Sequence, residues 1–441
     1  MKPLRSGAWF AGLVDQWRVL LLLSVLVLLP VGRSAELPVL LAAIIALVDF
    51  WRAGQRRRAS GVAANAVPPT IRPTDPALRL ALLVFLAYWL PELVSAVDSV
   101  VPTKSWSEVA LDLRFLPFAM FAISALASSR ARWLCLRLAA LVIAFWTLDA
   151  LFQAAVGVGL GGVARGERIT GIFGDDNLKL GQVLATLAPI LLWAAWRYRR
   201  GRWLPVAWSL LTLAIMLAGS RAAWWSFALI SLLGLWIWAR TPRRFALAAA
   251  LAIGLASIGS GLVYHGSAPF KARVDRTLLA LSGTRSGVDS ALALRLPIWE
   301  VALRMGLDHP INGVGVRGFR TAYPDYAAAD DVWVRADPRR GALHAHQIVL
   351  EIWTETGVIG LAFWVAGLVA LIRRWRAAAA AERELAIAAA AALIAMCFPL
   401  NTHLAFYSGF WGLLFWWLLA LLLALLAPPR AVEGVAARDP A

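Results

Sequence analysis

From Leu404 to Ala427 the chain reads LAFYSGFWGLLFWWLLALLLALLA, 24 residues without a charged side chain. Such a run suits the ~30 Å hydrocarbon core of a bilayer, which about 20 helical residues cross. Backbone N–H and C=O groups find no water there, so the segment has to satisfy them as a helix. Breaks made of Arg, Gly, Pro and Asp divide the sequence into twelve apolar runs: 16–32, 36–51, 77–97, 108–127, 133–156, 178–196, 203–219, 222–239, 245–263, 347–372, 384–402 and 404–427. The expected fold is therefore all-α, a polytopic integral membrane protein of about twelve transmembrane helices. Composition agrees, with 61% hydrophobic residues and a mean hydropathy of +0.70, against the ~45–50% apolar usage of soluble chains. The first run follows Lys2, Arg5 and Arg18, as a signal peptide does, but "GRSAEL" offers no A-x-A cleavage site, so it reads as a helix.

A formal charge of +17 would point to nucleic acid in a soluble protein. Its distribution says otherwise. With the N-terminus inside, the loops "WRAGQRRRASG", "SSRARW", "WRYRRGRW", "RTPRRF" and "RRWRAA" fall on the cytoplasmic side. That side, with termini and loop flanks, holds 25 of the 43 Lys and Arg residues, which is the positive-inside bias and not a nucleic-acid patch. Both termini are expected in the cytoplasm. Cys135 and Cys397 fall inside apolar runs and suggest neither a disulfide nor a metal-thiolate site.

One segment breaks the pattern of short connections. Residues 264–346, between the ninth and tenth runs, form an extracytoplasmic loop by the alternation, separating helices 1–9 (1–263) from helices 10–12 (347–427) and a cytoplasmic tail (428–441). Long ordered loops are usually functional. This one holds eleven Lys and Arg residues, including Arg295, Arg317 and Arg339, and four of the five histidines, so an anionic ligand is expected there. Within it, "LPIWEVALRMGL" reads as an amphipathic helix, with Ile298, Val301, Ala302 and Met305 at i, i+3, i+4 and i+7. Such a helix can lie on the membrane surface and hold Arg295 near the headgroups. "GVGVRG", Gly313–Gly318, matches the dinucleotide fingerprint G-x-G-x-x-G, but no strand precedes it, so it reads as a tight glycine-rich turn. Glu92, Asp112, Arg114 and Asp149 lie in the outer parts of their runs, and Arg165, Arg168, Asp175, Asp176 and Arg221 in outer loops or turns. Each alone reads as a structural ion pair; their shared depth suggests a polar chamber open to the outer side.

The tenth run opens with HAHQIVLEIWTETGVIGLAFW, His344 to Trp364. On a continuous α-helix, Leu350, Trp353, Gly357 and Gly360 share a face with His346, while Glu355 lies opposite. Two glycines on that face would let a neighbouring helix approach closely and fix the imidazole. His-x-His also suits a metal ion, although no clear carboxylate partner accompanies it.

"HQ", nine residues, then "GVIG" resembles the H-[NSQ]-x9-G-x-x-G signature of bacterial O-antigen ligases, whose superfamily includes O-antigen polymerases and protein O-oligosaccharyltransferases. "RITGIFGDDN" (168–177), "AGSRAAW" (218–224) and "RLPIWEVALRMGLDHPINGVGVRGF" (295–319) are similar to the same superfamily, in the same order. "GDDN" departs from the Gly-Asn-Pro-Asn-like turn of many relatives, so neither Asp175 nor Asp176 inherits a catalytic role. The resemblance implies a glycosyltransferase of the bacterial inner membrane that needs no cofactor or metal. It would move O-antigen polysaccharide from undecaprenyl pyrophosphate to a sugar hydroxyl of lipid A core, in lipopolysaccharide biosynthesis, at the periplasmic face. Matched residue by residue, it implies Arg221 and Arg295 at the pyrophosphate and His346 and His344 near the acceptor hydroxyl, one of them the general base. Arg168, Arg317 and Arg339 are further candidate substrate contacts, and Gly357 and Gly360 complete the motif. Arginine's fork is chemically suited to a diphosphate leaving group, and histidine to proton transfer near neutral pH. Repeat-unit polymerisation, protein O-glycosylation and lipid or glycan transport stay open, because no readable motif encodes the acceptor.

Overall fold

The computed structural model describes residues 16–60, 75–164, 168–174, 177–266 and 268–429. Nearly all of it is helical. The first half contains α1 (Trp17–Leu28), α2 (Glu36–Ser60), α3 (Pro76–Ser95), α4 (Pro102–Asp112), α5 (Phe115–Ala125) and α6 (Ser129–Val156). Then come α7 (Leu180–Arg197), α8 (Leu204–Leu217), α9 (Arg221–Ala239) and α10 (Pro242–Gly266). The long connection holds α11 (Ala268–Leu278), α12 (Arg285–Ala291), α13 (Leu296–Asp308), α14 (Phe319–Tyr326) and α15 (Val332–Ala336), and the chain closes with α16 (Ile348–Ala377), α17 (Ala380–Cys397) and α18 (Gly409–Leu426). A two-residue antiparallel pair, Val158–Gly159 with Gly162–Val163, is the sheet among the described residues.

Eight described helices are long and apolar enough to cross a membrane: α2, α3, α6, α7, α9, α10, α16 and α18. The other four runs expected to cross take different forms. α1 has 12 residues and α8 has 14, rises of about 18 and 21 Å at 1.5 Å per residue, short of a ~30 Å core. The run 108–127 divides at Leu113 and Arg114 between α4 and α5, 11 residues each. Arg114 forms ion pairs there with Asp112 (3.0 Å) and Glu36 (3.1 Å). α17 opens with Glu382, Arg383 and Glu384, charges that keep its first turn polar. The polytopic all-α architecture is thus present, with eight helices rather than twelve of full crossing length and polarity among the described residues.

Ion pairs and hydrogen bonds sort the helix ends into two sets. At one end Arg18 bonds Asp49 (2.6 Å) and Ser124, Arg197 pairs with Glu384, and Arg374 pairs with Glu382 (2.8 Å). At the other lie Glu36, Arg114, the C-terminus of α6 and the N-termini of α7, α9, α16 and α18. α7, α9, α16 and α18 therefore all start from this end, with the shorter α8 and α17 returning the chain between them. α18 runs through the middle, with Trp416 through Leu426 all buried and Trp417 Nε1 donating to the Leu22 carbonyl at 2.9 Å. In lipid such helices are held by close packing and interhelical hydrogen bonds, since hydrocarbon tails are as apolar as leucine.

The long connection has a core of its own. Ile298, Val301, Ala302 and Met305 are buried, as their spacing predicts, but they face Val314, Phe319, Ala322, Tyr323, Ala342 and Ala345. The amphipathic face of α13 thus covers the loop's interior and not a membrane surface. Periodicity identifies an apolar face but not its partner. Each large side chain so buried contributes about 1.5–3 kcal/mol relative to exposure, enough together to order a segment lacking a transmembrane helix. Gly306 sets α13 against α16: a Cβ there would lie 2.8 Å from the Trp353 indole.

Candidate active site

Helix α16 is broken. At Gly357 the backbone takes φ 67° and ψ −165°, a conformation essentially confined to glycine. The break frees backbone groups, and the loop "HPINGVGVRG" satisfies them. Val358 N–H donates to the Pro310 carbonyl (2.8 Å), Ile359 N–H to that of Ile311 (3.2 Å), and Val314 N–H to that of Thr354 (2.8 Å). A Cβ on Gly357 would collide with the Ile311 carbonyl; one on Gly313 (φ 72°) would collide with the Thr354–Thr356 backbone. Gly315 similarly admits Ser99. The fingerprint-like glycines thus let a loop strand enter a helix break; they do not form a phosphate loop. The continuous stripe expected from His346 to Gly360 is replaced by this arrangement. The close neighbour at Gly357 is the loop, not another helix, and a Cβ on Gly360 would collide with Thr356 of its own helix.

The helix also starts later than the stripe requires. Gln347 is its N-cap, its side-chain carbonyl accepting from Leu350 N–H at 2.6 Å. His346 precedes the cap with φ 54°, left-handed for a residue with a Cβ. That turn sends its imidazole to the segment between α17 and α18, where Nδ1 lies 2.8 Å from the Thr402 carbonyl. A carbonyl only accepts, so Nδ1 carries the proton and Nε2 presents a lone pair. The His344 ring stands 3.8 Å from that of His346, centroid to centroid, and its Nε2 is buried without a hydrogen-bond partner.

Positive charge surrounds this pair. Burial first, then Arg295, pushes His346 down to about 3. Burial and the neighbouring His346 push His344 well below the usual imidazole range. His403, one residue past the carbonyl that holds His346, is pushed down to about 4 by burial, then Arg295, Arg168 and Lys179. Arg295 itself falls to about 10 through burial and the like charges of Arg221 and Arg168. Its Nη1 donates to the Leu292 carbonyl (3.1 Å) while Nε has no partner, and Arg221 reaches only the Ser290 carbonyl (3.4 Å). Among the described residues neither pairs with a carboxylate. Cations crowded together, with Arg295 and Arg221 held only by carbonyls, suit a polyanion.

Several elements hold these groups in place. The Gln153 side-chain carbonyl accepts from Thr170 and Gly171 N–H, 2.8 Å each, fixing the segment that begins with Arg168. Lys179 precedes α7, its Nζ 4.3 Å from the centre of the Phe410 ring. Ser220 caps α9, so Arg221 opens that helix.

Residues 206–365 match the family model described as O-antigen ligase. That segment is an O-antigen ligase domain. No curated protein matches the chain. The matched span contains Arg221, Arg295, His344, His346, Gly357 and Gly360; Arg168, Lys179 and His403 reach the O-antigen ligase domain's charged cluster from outside it.

The other expected contacts lie elsewhere. Arg317 donates from Nη1 to the Tyr407 carbonyl (2.9 Å), and its backbone N–H to Glu355 Oε2 (2.7 Å), so it fastens the O-antigen ligase domain's loop to α16 and the 398–408 turn. Arg339 is exposed, its backbone N–H bonded to the Asp337 side chain (3.1 Å). Asp112 and Arg114 belong to a separate network with Glu36 and the Tyr88 hydroxyl, which donates to Asp112 at 2.9 Å. Glu92 is fully buried with neither carboxylate oxygen hydrogen-bonded. Asp149 Oδ1 accepts from Leu160 N–H at 2.9 Å. Arg165, Asp175 and Asp176 lie outside the described residues. His403 and Lys179 were not singled out by sequence. His403 left a signal: it is the one histidine outside the long connection, and it falls in a short outer turn between two apolar runs.

Proposed function

We propose that this protein transfers a preassembled glycan, the O-antigen polysaccharide, from undecaprenyl pyrophosphate to a sugar hydroxyl of lipid A core. The histidine end of the bundle faces the periplasm and the opposite end the cytoplasm of the bacterial inner membrane. What supports the reading is the pairing of an imidazole, with its proton fixed on Nδ1 by the Thr402 carbonyl, with Arg295 and Arg221, neither of which pairs with a carboxylate among the described residues. His346 Nε2 accepts the proton of the acceptor hydroxyl as its oxygen bonds the anomeric carbon. The carbon–oxygen bond to the diphosphate breaks, and the leaving group departs with the electron pair into the field of Arg295, Arg221 and Arg168, where negative charge develops. Positive surroundings keep His346 neutral before the donor arrives. A bound diphosphate reverses the sign of its neighbours and raises its basicity in the complex where a base is needed.

The test incubates purified protein with lipid-linked glycan and lipid A core in excess EDTA, since the arginines supply the charge that a metal would otherwise bring. Glycan attached to lipid A core is expected. Lengthening of the lipid-linked glycan alone would make the protein a polymerase, transfer to a protein acceptor would make it an oligosaccharyltransferase, and movement across vesicles without transfer would make it a transporter.

A further inference from the structure

The bundle end opposite the histidines holds a cavity of about 1090 Å³ between α6, α7 and α8. Its lining is largely apolar, with Leu141, Leu148, Leu191 and Leu210, and the end where α6 begins carries Trp133, Tyr198 and Trp203. Along α6 the lining runs from Trp133 to Leu148, about 22 Å at 1.5 Å per residue, roughly one leaflet with its interfacial zone. Twenty residues of the same helix, about 30 Å, separate Trp133 from Gln153, which holds the segment after Arg168. The groove therefore opens to the leaflet away from the histidines.

Three charged residues line it, all arginines: Arg137, Arg197 and Arg200, gathered where α6 begins and α7 ends. Among the described residues, only Arg197 of the three has an acidic partner, Glu384. Arg137 and Arg197 both stand over the Trp133 ring, 5.5 and 5.4 Å from its centre. Arg200 is reached through an unusual turn in which Arg199 (φ 45°) and Arg200 (φ 56°) are left-handed without being glycine. A greasy groove one leaflet long, aromatic rings and three arginines at one end, with Arg137 and Arg200 lacking an acidic partner among the described residues, together match an acyl chain ending in a phosphate.

We propose that this groove is a binding site for an anionic phospholipid, with one acyl chain along α6 and α7 and the phosphate among Arg137, Arg197 and Arg200. Ordinary annular lipid needs no charge at one end, and the arginines make the occupant anionic. The test adds phosphatidylglycerol or phosphatidylcholine to delipidated full-length protein and counts bound lipids by native mass spectrometry. Wild type is expected to retain phosphatidylglycerol preferentially, with the preference falling roughly fivefold for each arginine removed in Arg137→Gln and Arg200→Gln. Leu141→Trp, which fills the channel and leaves the arginines, is expected to lose bound lipid of both kinds. Should that variant not fold, the two surface substitutions decide alone. Equal retention of the two phospholipids, or a double arginine variant indistinguishable from wild type, overturns the proposal. Displacement of phosphatidylglycerol by equimolar polyprenyl phosphate also overturns it, assigning the groove to a carrier lipid.

Discussion

Replacing Gly357 with alanine tests the broken helix directly. At φ 67° and ψ −165° a side chain costs about 1–3 kcal/mol in backbone strain alone. The added methyl also meets the Ile311 carbonyl and Asn312 N, so the loop has to withdraw. Withdrawal weakens the bonds of Val358, Ile359 and Val314 N–H to Pro310, Ile311 and Thr354, each contributing about 1 kcal/mol. The expected destabilisation is about 3–6 kcal/mol. With roughly 2.1 cal/mol/K of unfolding entropy per residue, that is a fall of roughly 3–6 °C in apparent Tm. The assay is thermal unfolding of the purified variant in detergent alongside glycan transfer, both expected to suffer. A Gly357→Ala protein that melts and transfers like wild type refutes the inserted loop. Gly360→Ala is the matched comparison, since the nearest side chains its methyl meets, Thr356 and Ile352, belong to its own helix; a smaller loss is expected.

His346→Ala is expected to reduce transfer by ~10²–10⁴-fold while the protein still inserts; His344→Ala, whose ring contacts His346 without the Thr402 bond, is expected to lose less, and the reverse ranking moves the base to His344. Arg295→Lys and Arg221→Lys keep charge but lose the planar fork, so transfer is expected to fall in both, and normal rates in both would remove the diphosphate clamp. His346 and His403 stand near 3 and 4 in the folded protein against ~6.5 unfolded, so the unfolded chain binds more protons between those limits. Their contribution is therefore complete above pH ~6.5 and fades on acidification; His403→Gln is expected to flatten the fall of Tm between pH 7 and 5, and an unchanged slope counts against its burial in the cationic cluster. A reporter fused after Arg57 is expected to read cytoplasmic and one inserted near Asp330 periplasmic, and inversion at either position would overturn the orientation.

Much of this architecture is legible in the sequence because lipid imposes coarse rules. A run such as Leu404–Ala427 announces a membrane helix on its own, and the spacing of Ile298, Val301, Ala302 and Met305 identifies a buried face correctly. What stays hidden depends on partners distant in sequence. The α13 face finds the loop's own core because Phe319 and Tyr323 fold back over it. The phase of His346 is unreadable because Gln347, an ordinary polar residue, turns out to be the cap. A glycine inside an apolar run reads as helix packing, and only the approach of Pro310 and Ile311 shows that Gly357 interrupts the helix. His403 joins the cluster through the 398–408 turn, beyond the O-antigen ligase match at 206–365.

The interruption at Gly357 also constrains how the molecule is made. Nine residues into α16, about 14 Å from its start, the break leaves backbone groups unpaired in a membrane-crossing helix, where each is costly away from water until satisfied. The partners come from a segment synthesised earlier, which the proposed orientation puts across the membrane first. Insertion of α16 is therefore incomplete until that segment returns and docks, and the docking also carries Arg317 onto Glu355 and Tyr407. A cell that surveys membrane proteins for unsatisfied helices would, in this chain, be inspecting assembly of the histidine end itself.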